Sequence, residues 1–394
     1  MRNMIHKSKI MFTRILKINF ENNNSVFLWG PRKTGKSFFL RQLFTESTSF
    51  DFLKSDVLFR FSKNPSLLRQ ELLYLESSGR LIQPIILDEV QKIPSILDEV
   101  HWMIENKKWQ FILCGSSPRK LKRGHANLLG GRAWRFEMFP LVTAEIPGFD
   151  LLTALNRGLI PSHYNEKHYR RSLKSYVNDY LKEEIMSEGL VRNLSGFARF
   201  LDSVGYSHGE MVNFLNISRD CGVDAKTVKA YYQILVDTML GVFIDPFTKK
   251  SGRQIIMSTP KFYLFDVGIA GHLLKREILE ERGDVFGRAF EHFILMELLA
   301  YRSYSEKDFK ITYWRTKDGT EVDFVLDEGK IAIEVKGGRN IDSSSLRPLR
   351  VFSEEYSPEK TILVNNETMP RLIDRVELTP WRIFLSNLWT GKII

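Results

Sequence analysis

Cysteine is nearly absent: Cys114 and Cys221 are the only two in 394 residues. That excludes a disulfide framework and any zinc site of the Cys-x-x-Cys kind, and it fits a reducing cytoplasm. Histidine is also sparse, and His163 and His168 have no cysteine near them. They read as packing or solvated rings rather than zinc ligands. No apolar run approaches the length that spans a bilayer, so no membrane partner is expected. At the amino end, Arg14 and Lys17 interrupt what a signal peptide would keep apolar. Met1 to Phe20 therefore reads as a basic amphipathic helix, with a transit peptide as the alternative. Internal repeats and low-complexity tracts are missing too.

Positive charge is what the chain has in excess. A formal net charge of +10 favours polyanionic partners, of which nucleic acid is the commonest. A hydrophobic fraction of 43% and a charged fraction of 26% are those of a globular chain. The length exceeds one ordinary core, so two or three domains are expected.

From Ser25 to about Pro140, short apolar runs alternate with helical stretches, the pattern of parallel α/β units. Val26–Trp29, Asp56–Phe61, Ile85–Leu87 and Phe111–Leu113 read as strands, and Leu67–Glu76 as an amphipathic helix. Asp150 to Gly189 reads as a helical, polar lid or linker, and Leu190 to Phe247 as a helical block. Beyond Gly283 the pattern gives one long helix and then three short strands.

Gly30-Pro31-Arg32-Lys33-Thr34-Gly35-Lys36-Ser37 fits the phosphate-binding loop G-x-x-x-x-G-K-[ST], between a strand and a helix as that loop requires. Its glycines let backbone amides face phosphates, and the following helix presents its positive end. Lys36 is expected on the β- and γ-phosphates of ATP, and Ser37 on Mg²⁺. Ile85-Ile86-Leu87 then ends in Asp88-Glu89. There Asp88 would hold the metal and Glu89 would polarise the attacking water. Ser116 or Ser117, after the next apolar run, stands where a polar side chain could sense the γ-phosphate; a helix-capping serine is the alternative.

These motifs, with Cys114-Gly115-Ser116-Ser117 and Gly130-Gly131-Arg132 followed by Phe139-Pro140-Leu141, resemble the prokaryotic AAA-type ATPases that carry a C-terminal domain of unknown function. The resemblance covers nearly the whole chain. It implies a parallel-sheet P-loop NTPase core, a helical winged-helix domain and a C-terminal α/β restriction-endonuclease-like domain. The corresponding division is 1–150 for the ATPase, 151–189 for a helical lid or linker, 190–265 for the winged helix and 266–394 for the nuclease-like part. Arg132 then becomes an arginine that senses γ-phosphate, across a subunit interface if the chain forms a homo-oligomer.

Ile217 to Val228 reads as helix, tight turn at Gly222, cap at Asp224 and a second helix, the helix-turn-helix pattern. Val228, Tyr231 or Tyr232, and Leu235 would face a core. Lys226, Thr227, Lys229 and Gln233 would face outward as DNA-binding residues, lysines toward phosphates and Gln233 toward a base edge. Packing with solvated lysines is the alternative.

In the last part, a two-residue loop at Glu328-Gly329 pairs Asp327 with Lys330. Counting outward, Asp323 lies opposite Glu334 and Glu321 opposite Lys336. These four share one face, with Val322, Phe324, Ile333 and Val335 on the other. Two facing carboxylates about 5 Å apart repel, and Mg²⁺ or Mn²⁺ between them removes the conflict. Lys336 would meet a scissile phosphate, and Glu291, on the preceding helix, would add a third carboxylate. Glu291, Asp323, Glu334 and Lys336 fit the PD-(D/E)xK nuclease signature, with Val322 in place of its usual proline. A plain hairpin with surface ion pairs is the alternative. The chain is thus expected to bind and hydrolyse Mg-ATP and to act on nucleic acid, DNA above all, with ATP state controlling the last domain. A switch or scaffold that only binds, and a signalling ATPase with protein partners, stay open.

Overall fold

The computed structural model describes residues 12–20, 24–119, 121, 129–181, 194–248 and 259–394. The first sheet holds β1 (Ser25–Trp29), β2 (Ser49–Asp51), β3 (Ile85–Asp88), β4 (Phe111–Gly115) and β5 (Ala133–Glu137) in the order β2-β3-β4-β1-β5. Every pairing in it is parallel. Central strands β1 and β4 are buried along their full length, as expected where helices cover both faces.

Asp56–Phe61 is not the second strand; it lies in the helix Ser55–Lys63. Its apolar residues recur at helical spacing, with Phe61 as the buried anchor. Asp56 in the first turn and Arg60 and Lys63 in the last also suit the helix dipole. The strand beside β3 is the shorter Ser49–Asp51. At the amino end, residues 12–20 run without helix, and the rest of the expected amphipathic helix lies outside the described residues. Arg14 ties this segment down through the Phe139 carbonyl (2.5 Å), the Tyr304 hydroxyl (2.9 Å) and the Glu145 carboxylate (3.2 Å).

The middle of the chain packs Leu194–Tyr206, Phe214–Cys221 and Ala225–Asp237 around one apolar cluster. An antiparallel ribbon follows, β6 (Gly241–Ile244) with β7 (Lys261–Leu264). The expected boundary at 265/266 falls just before the helix Val267–Leu273, which packs against Leu151–Arg157 and Leu194–Tyr206. Residues 266–273 therefore belong physically with the middle part.

The last sheet has six strands, not three: β8 (Ile311–Arg315), β9 (Glu321–Leu326), β10 (Ile331–Val335), β11 (Lys360–Asn365), β12 (Arg371–Ile373) and β13 (Val376–Pro380). Their order is β12-β13-β11-β10-β9-β8, with β10, β11 and β13 parallel. Helix Gly283–Tyr304 buries Phe286, Phe290 and Phe293 in the cluster that includes Phe324 and Ile333. On the other side, Leu349 and Phe352 of helix Arg347–Tyr356 pack with Trp314 and Leu363. Among the described residues no helix is long and apolar enough to cross a membrane.

His163 takes the packing role. It is buried edge-on to Tyr176 at 5.6 Å, and neither ring nitrogen has a hydrogen-bond partner. Burial, then the nearby charge of Lys33, lower its pKa from 6.5 to about 4. The unfolded chain takes up this proton first, so the stabilisation is complete above about pH 6.5 and is lost as pH falls toward 4. The loss reaches at most about 1.4 kcal/mol per pH unit. His163→Phe removes this slope and two unsatisfied nitrogens. Urea midpoints at pH 7 and pH 5 are expected to show the variant gaining on the wild type as pH falls. Parallel pH dependences would show that the ring is not held neutral by the fold.

Candidate functional site

The loop after β1 has the geometry of a phosphate cradle. Gly35 adopts φ +96°, a left-handed conformation that turns the chain into helix Lys36–Leu43. At Gly30 a Cβ would lie 2.4 Å from the Met138 carbonyl oxygen, so only glycine lets the loop leave the sheet there. Lys36 is buried and donates to the carbonyls of Gly30 (2.6 Å) and Pro31 (3.1 Å). Thr34 donates to Pro31 as well, and Tyr176 from the middle part donates to the Arg32 carbonyl. Lys33 lies over the Tyr176 ring, and Ser37 stands in the first turn of the helix.

Asp88 ends β3, two strands from the loop and on the same edge of the sheet. Glu89 follows in the left-handed region at φ 60° and donates its backbone N–H to Asp88 Oδ1 at 3.0 Å. Its carboxylate is buried and accepts from Gln91 Nε2 at 2.6 Å, and the same amide reaches Ser116 Oγ at 2.9 Å. Gln91 thus spans the proposed base and the proposed sensor. Sequence reading missed it, because an amide two residues after an acidic pair carries no signal. Gly115 gives the reason for its own identity: a Cβ there would meet Gln91 Oε1 at 2.3 Å.

Arg132 does not approach this edge. β5 runs parallel to β1 with Ala133 beside Ser25, whereas the phosphate loop follows Trp29. Arg132 is therefore about 16 Å away along the strand direction, at roughly 3.3 Å per residue, and it pairs with Glu105. A γ-phosphate contact within its own chain is excluded; only a second copy could receive it.

The helix-turn-helix geometry is present, with Gly222 left-handed at φ 63° and Asp224 capping the second helix. Val228, Tyr231, Tyr232 and Leu235 are all buried. The outward set splits. Lys226 and Lys229 are exposed, with Lys229 over the Phe214 ring. Thr227 is used in the cap, donating to Asp224. Gln233 bonds Asp237 at 2.7 Å, in the turn that faces the nucleotide edge. There Asp237 pairs with Arg119 at 2.5 Å, Arg119 also donates to the Gln233 carbonyl (3.3 Å), and Ser117 Oγ donates to the Asp237 carbonyl (2.9 Å). Neither Arg119 nor Asp237 was marked by any motif.

In the C-terminal sheet the hairpin register is as counted, Leu326 facing Ile331 and Phe324 facing Ile333. A β-bulge at Asp323-Phe324, opposite Tyr313, was not legible. It turns Val322 to the face of Trp314 and Leu363, away from Phe324. The expected Glu321–Lys336 pairing is replaced. Glu321 bonds Lys261 and Arg315 (2.7 Å), while Lys336 bonds Glu334 at 2.5 Å. Asp323 Oδ2 accepts the Val335 N–H at 2.7 Å, and Glu291 accepts the Tyr263 hydroxyl at 2.5 Å. Burial, then the charge of Asp323, push Glu334 well above its ordinary value and Glu291 to about 7. Burial also raises Asp323, against the opposing charge of Lys261. Glu334 Oε2 is buried without a hydrogen-bond partner. Among the described residues no three acidic, histidine or cysteine side chains converge on one ion position. Lysines stand among the carboxylates.

Three family models match the chain in succession. Residues 22–147 match the AAA domain, 148–279 a domain of unknown function, DUF8612, and 286–384 another, DUF4143. No curated protein matches. A solved structure of the Aeropyrum pernix Orc1 protein in complex with DNA is similar at 12% identity, covering 64% of this chain and 86% of that one. Its TM-score is 0.29, at which a likeness carries no argument. The phosphate loop, the parallel strand order and the first family model agree: residues 22–147 match the AAA domain and fold as a parallel-sheet P-loop unit.

Proposed function

We propose that the chain binds Mg-ATP at Gly30–Ser37, hydrolyses it, and uses the nucleotide state to control how its middle and C-terminal parts act on DNA. One observation carries the coupling. The stretch Ser116–Arg119 touches Gln91 at one end and the last turn of helix Ala225–Asp237 at the other. Lys36 would exchange its two loop carbonyls for phosphate oxygens. The oxygens of Ser37 and Asp88 suit Mg²⁺ and stand on one sheet edge, and the metal would neutralise phosphate charge there. Gln91 engages one carboxylate oxygen of Glu89, and a change in that bond with nucleotide state is the switching step of this reading. Lys36→Ala is expected to weaken nucleotide binding at least about tenfold, the loss of a charge-assisted contact. Glu89→Gln should bind ATP normally and turn it over at least about a hundredfold more slowly. Calorimetry and phosphate release measure both; normal turnover in Glu89→Gln would remove it from the base role.

For DNA the structure leaves Lys226 and Lys229 as the exposed candidates, with Thr227 and Gln233 occupied by their own helix. Lys226→Glu with Lys229→Glu is expected to lower the slope of log affinity against log salt by roughly two. Fluorescence anisotropy over a salt series reads it, and an unchanged slope would place DNA elsewhere.

The acid cluster supports a metal-dependent, nuclease-like reading through Glu334 Oε2, a buried oxygen with no partner, beside Asp323 and Glu291. Mg²⁺ or Mn²⁺ there would supply charge for an attacking water, and Lys336 would hold the phosphate. The paired lysines favour a second reading, a switch or scaffold whose C-terminal part binds DNA or protein without cutting. Cleavage of mixed DNA substrates with Mg²⁺ or Mn²⁺, with and without ATP, separates the two.

A further inference from the structure

Strands β10, β11 and β13 run parallel and end side by side at Val335, Asn365 and Pro380. The chain leaving β10 heads for helix Arg347–Tyr356, which packs on one face of the sheet with Trp314 and Leu363. The chain leaving β13 enters helix Trp381–Trp389 at once, and Trp381 and Phe384 pack on the opposite face. Between these two departures, over the end of β11, lies a cavity of about 710 Å³. The carboxyl ends of parallel strands, where connections diverge, are where α/β sheets receive ligands.

Arginine dominates the lining: Arg339, Arg371 and Arg382 stand there with Glu281 and Glu367. Both carboxylates are already engaged. Glu367 accepts twice from Arg371, at 2.5 and 3.1 Å, and Glu281 accepts from Asn366 at 2.8 Å and Arg339 at 3.3 Å. Arg382 instead lies over the Trp381 ring at 4.2 Å, and among the described residues it pairs with no carboxylate. Its guanidinium therefore keeps donors for an anion and a planar surface for a ring. Trp381 is buried and held by its Nε1–H on Asn366 Oδ1 at 3.2 Å, which fixes the floor beneath that arginine. The helix also starts here without a side-chain cap, so its first amides add positive potential.

We propose that this cavity receives a single strand of nucleic acid, with phosphates on Arg339 and Arg382 and a base stacked on the Arg382 guanidinium. This rests on the reading that the chain acts on nucleic acid, and on no metal in the acid cluster. The size of the cavity favours a strand over a duplex. A space of this volume is on the scale of a small-molecule site, so a nucleotide unit enters it only with its base unpaired. Stacking accepts every base, so the site carries no sequence preference. A free nucleotide shares the chemistry of phosphate plus ring, and the test separates the two.

The test is fluorescence anisotropy over a salt series, on the full chain without ATP, comparing a labelled oligo(dT) strand with a mixed-sequence duplex. Arg339→Gln with Arg382→Gln is expected to weaken oligo(dT) binding at least about tenfold. The slope of log affinity against log salt should fall by roughly 1.4, at about 0.7 for each single-strand phosphate contact. Duplex affinity, which the Lys226 and Lys229 substitutions address, should change less than about twofold. Arg347→Gln with Lys317→Gln removes the same charge outside the cavity and should leave oligo(dT) binding as it was. Both pairs are exposed, so the fold is not at stake. Thymidine monophosphate should compete only in large excess over the strand. An unchanged oligo(dT) slope, an equal loss on the duplex, an equal loss in the control pair, or ready displacement by the monophosphate would overturn the proposal. A wild type that binds neither strand nor duplex at low salt would sink the nucleic-acid reading itself.

Discussion

The buried side chain of Arg119 is the contact on which the proposed coupling depends. It leaves the nucleotide edge of the parallel sheet and ends on Asp237, in the last turn of helix Ala225–Asp237. An arginine side chain that is 9% exposed must be paired, because burying an isolated charge is far costlier than any single contact is stabilising. Moving the helix away from the loop after β4 would therefore break this buried ion pair. The loop in turn cannot move without disturbing Ser116, whose hydroxyl shares one amide with Glu89. A two-state coupling needs two discrete arrangements, and this buried pair defines one of them.

The same constraint acts at the other end of the middle part. Lys261 and the carboxylates around it are desolvated together, and each is tolerable only because the others are present. Burial pulls the lysine's pKa down, but Glu291, Glu321 and Asp323 outweigh it and hold the ammonium above its ordinary value. The ribbon β6–β7 thus serves two masters. Its backbone continues the helical block, and its side chains complete the electrostatics of the six-stranded sheet.

Local chemistry was legible in the sequence and tertiary chemistry was not. The phosphate loop and Asp88-Glu89 could be read because their meaning lies in a few consecutive residues between a strand and a helix. The β9–β10 register followed from one turn, where Glu328 and Gly329 both adopt positive φ. The bulge at Asp323 has no such marker, since an extra residue in one strand is fixed by the partner strand. Asp56–Phe61 misled because four apolar residues in a six-residue stretch fit either period. Arg132 misled because its place depends on β5 lying beside β1, a fact of sheet order. Gln91, Arg119 and Lys261 are ordinary polar residues until folding brings distant partners to them.

The most direct measurement of the central claim is ATP turnover with and without duplex DNA, compared between the wild type and the paired substitution Arg119→Met with Asp237→Asn. Replacing both partners removes the connection without leaving either charge buried alone. Wild-type turnover is predicted to change when DNA is added. The paired variant is predicted to keep its basal turnover and its DNA affinity while losing that response. A variant that responds to DNA as fully as the wild type would contradict the account.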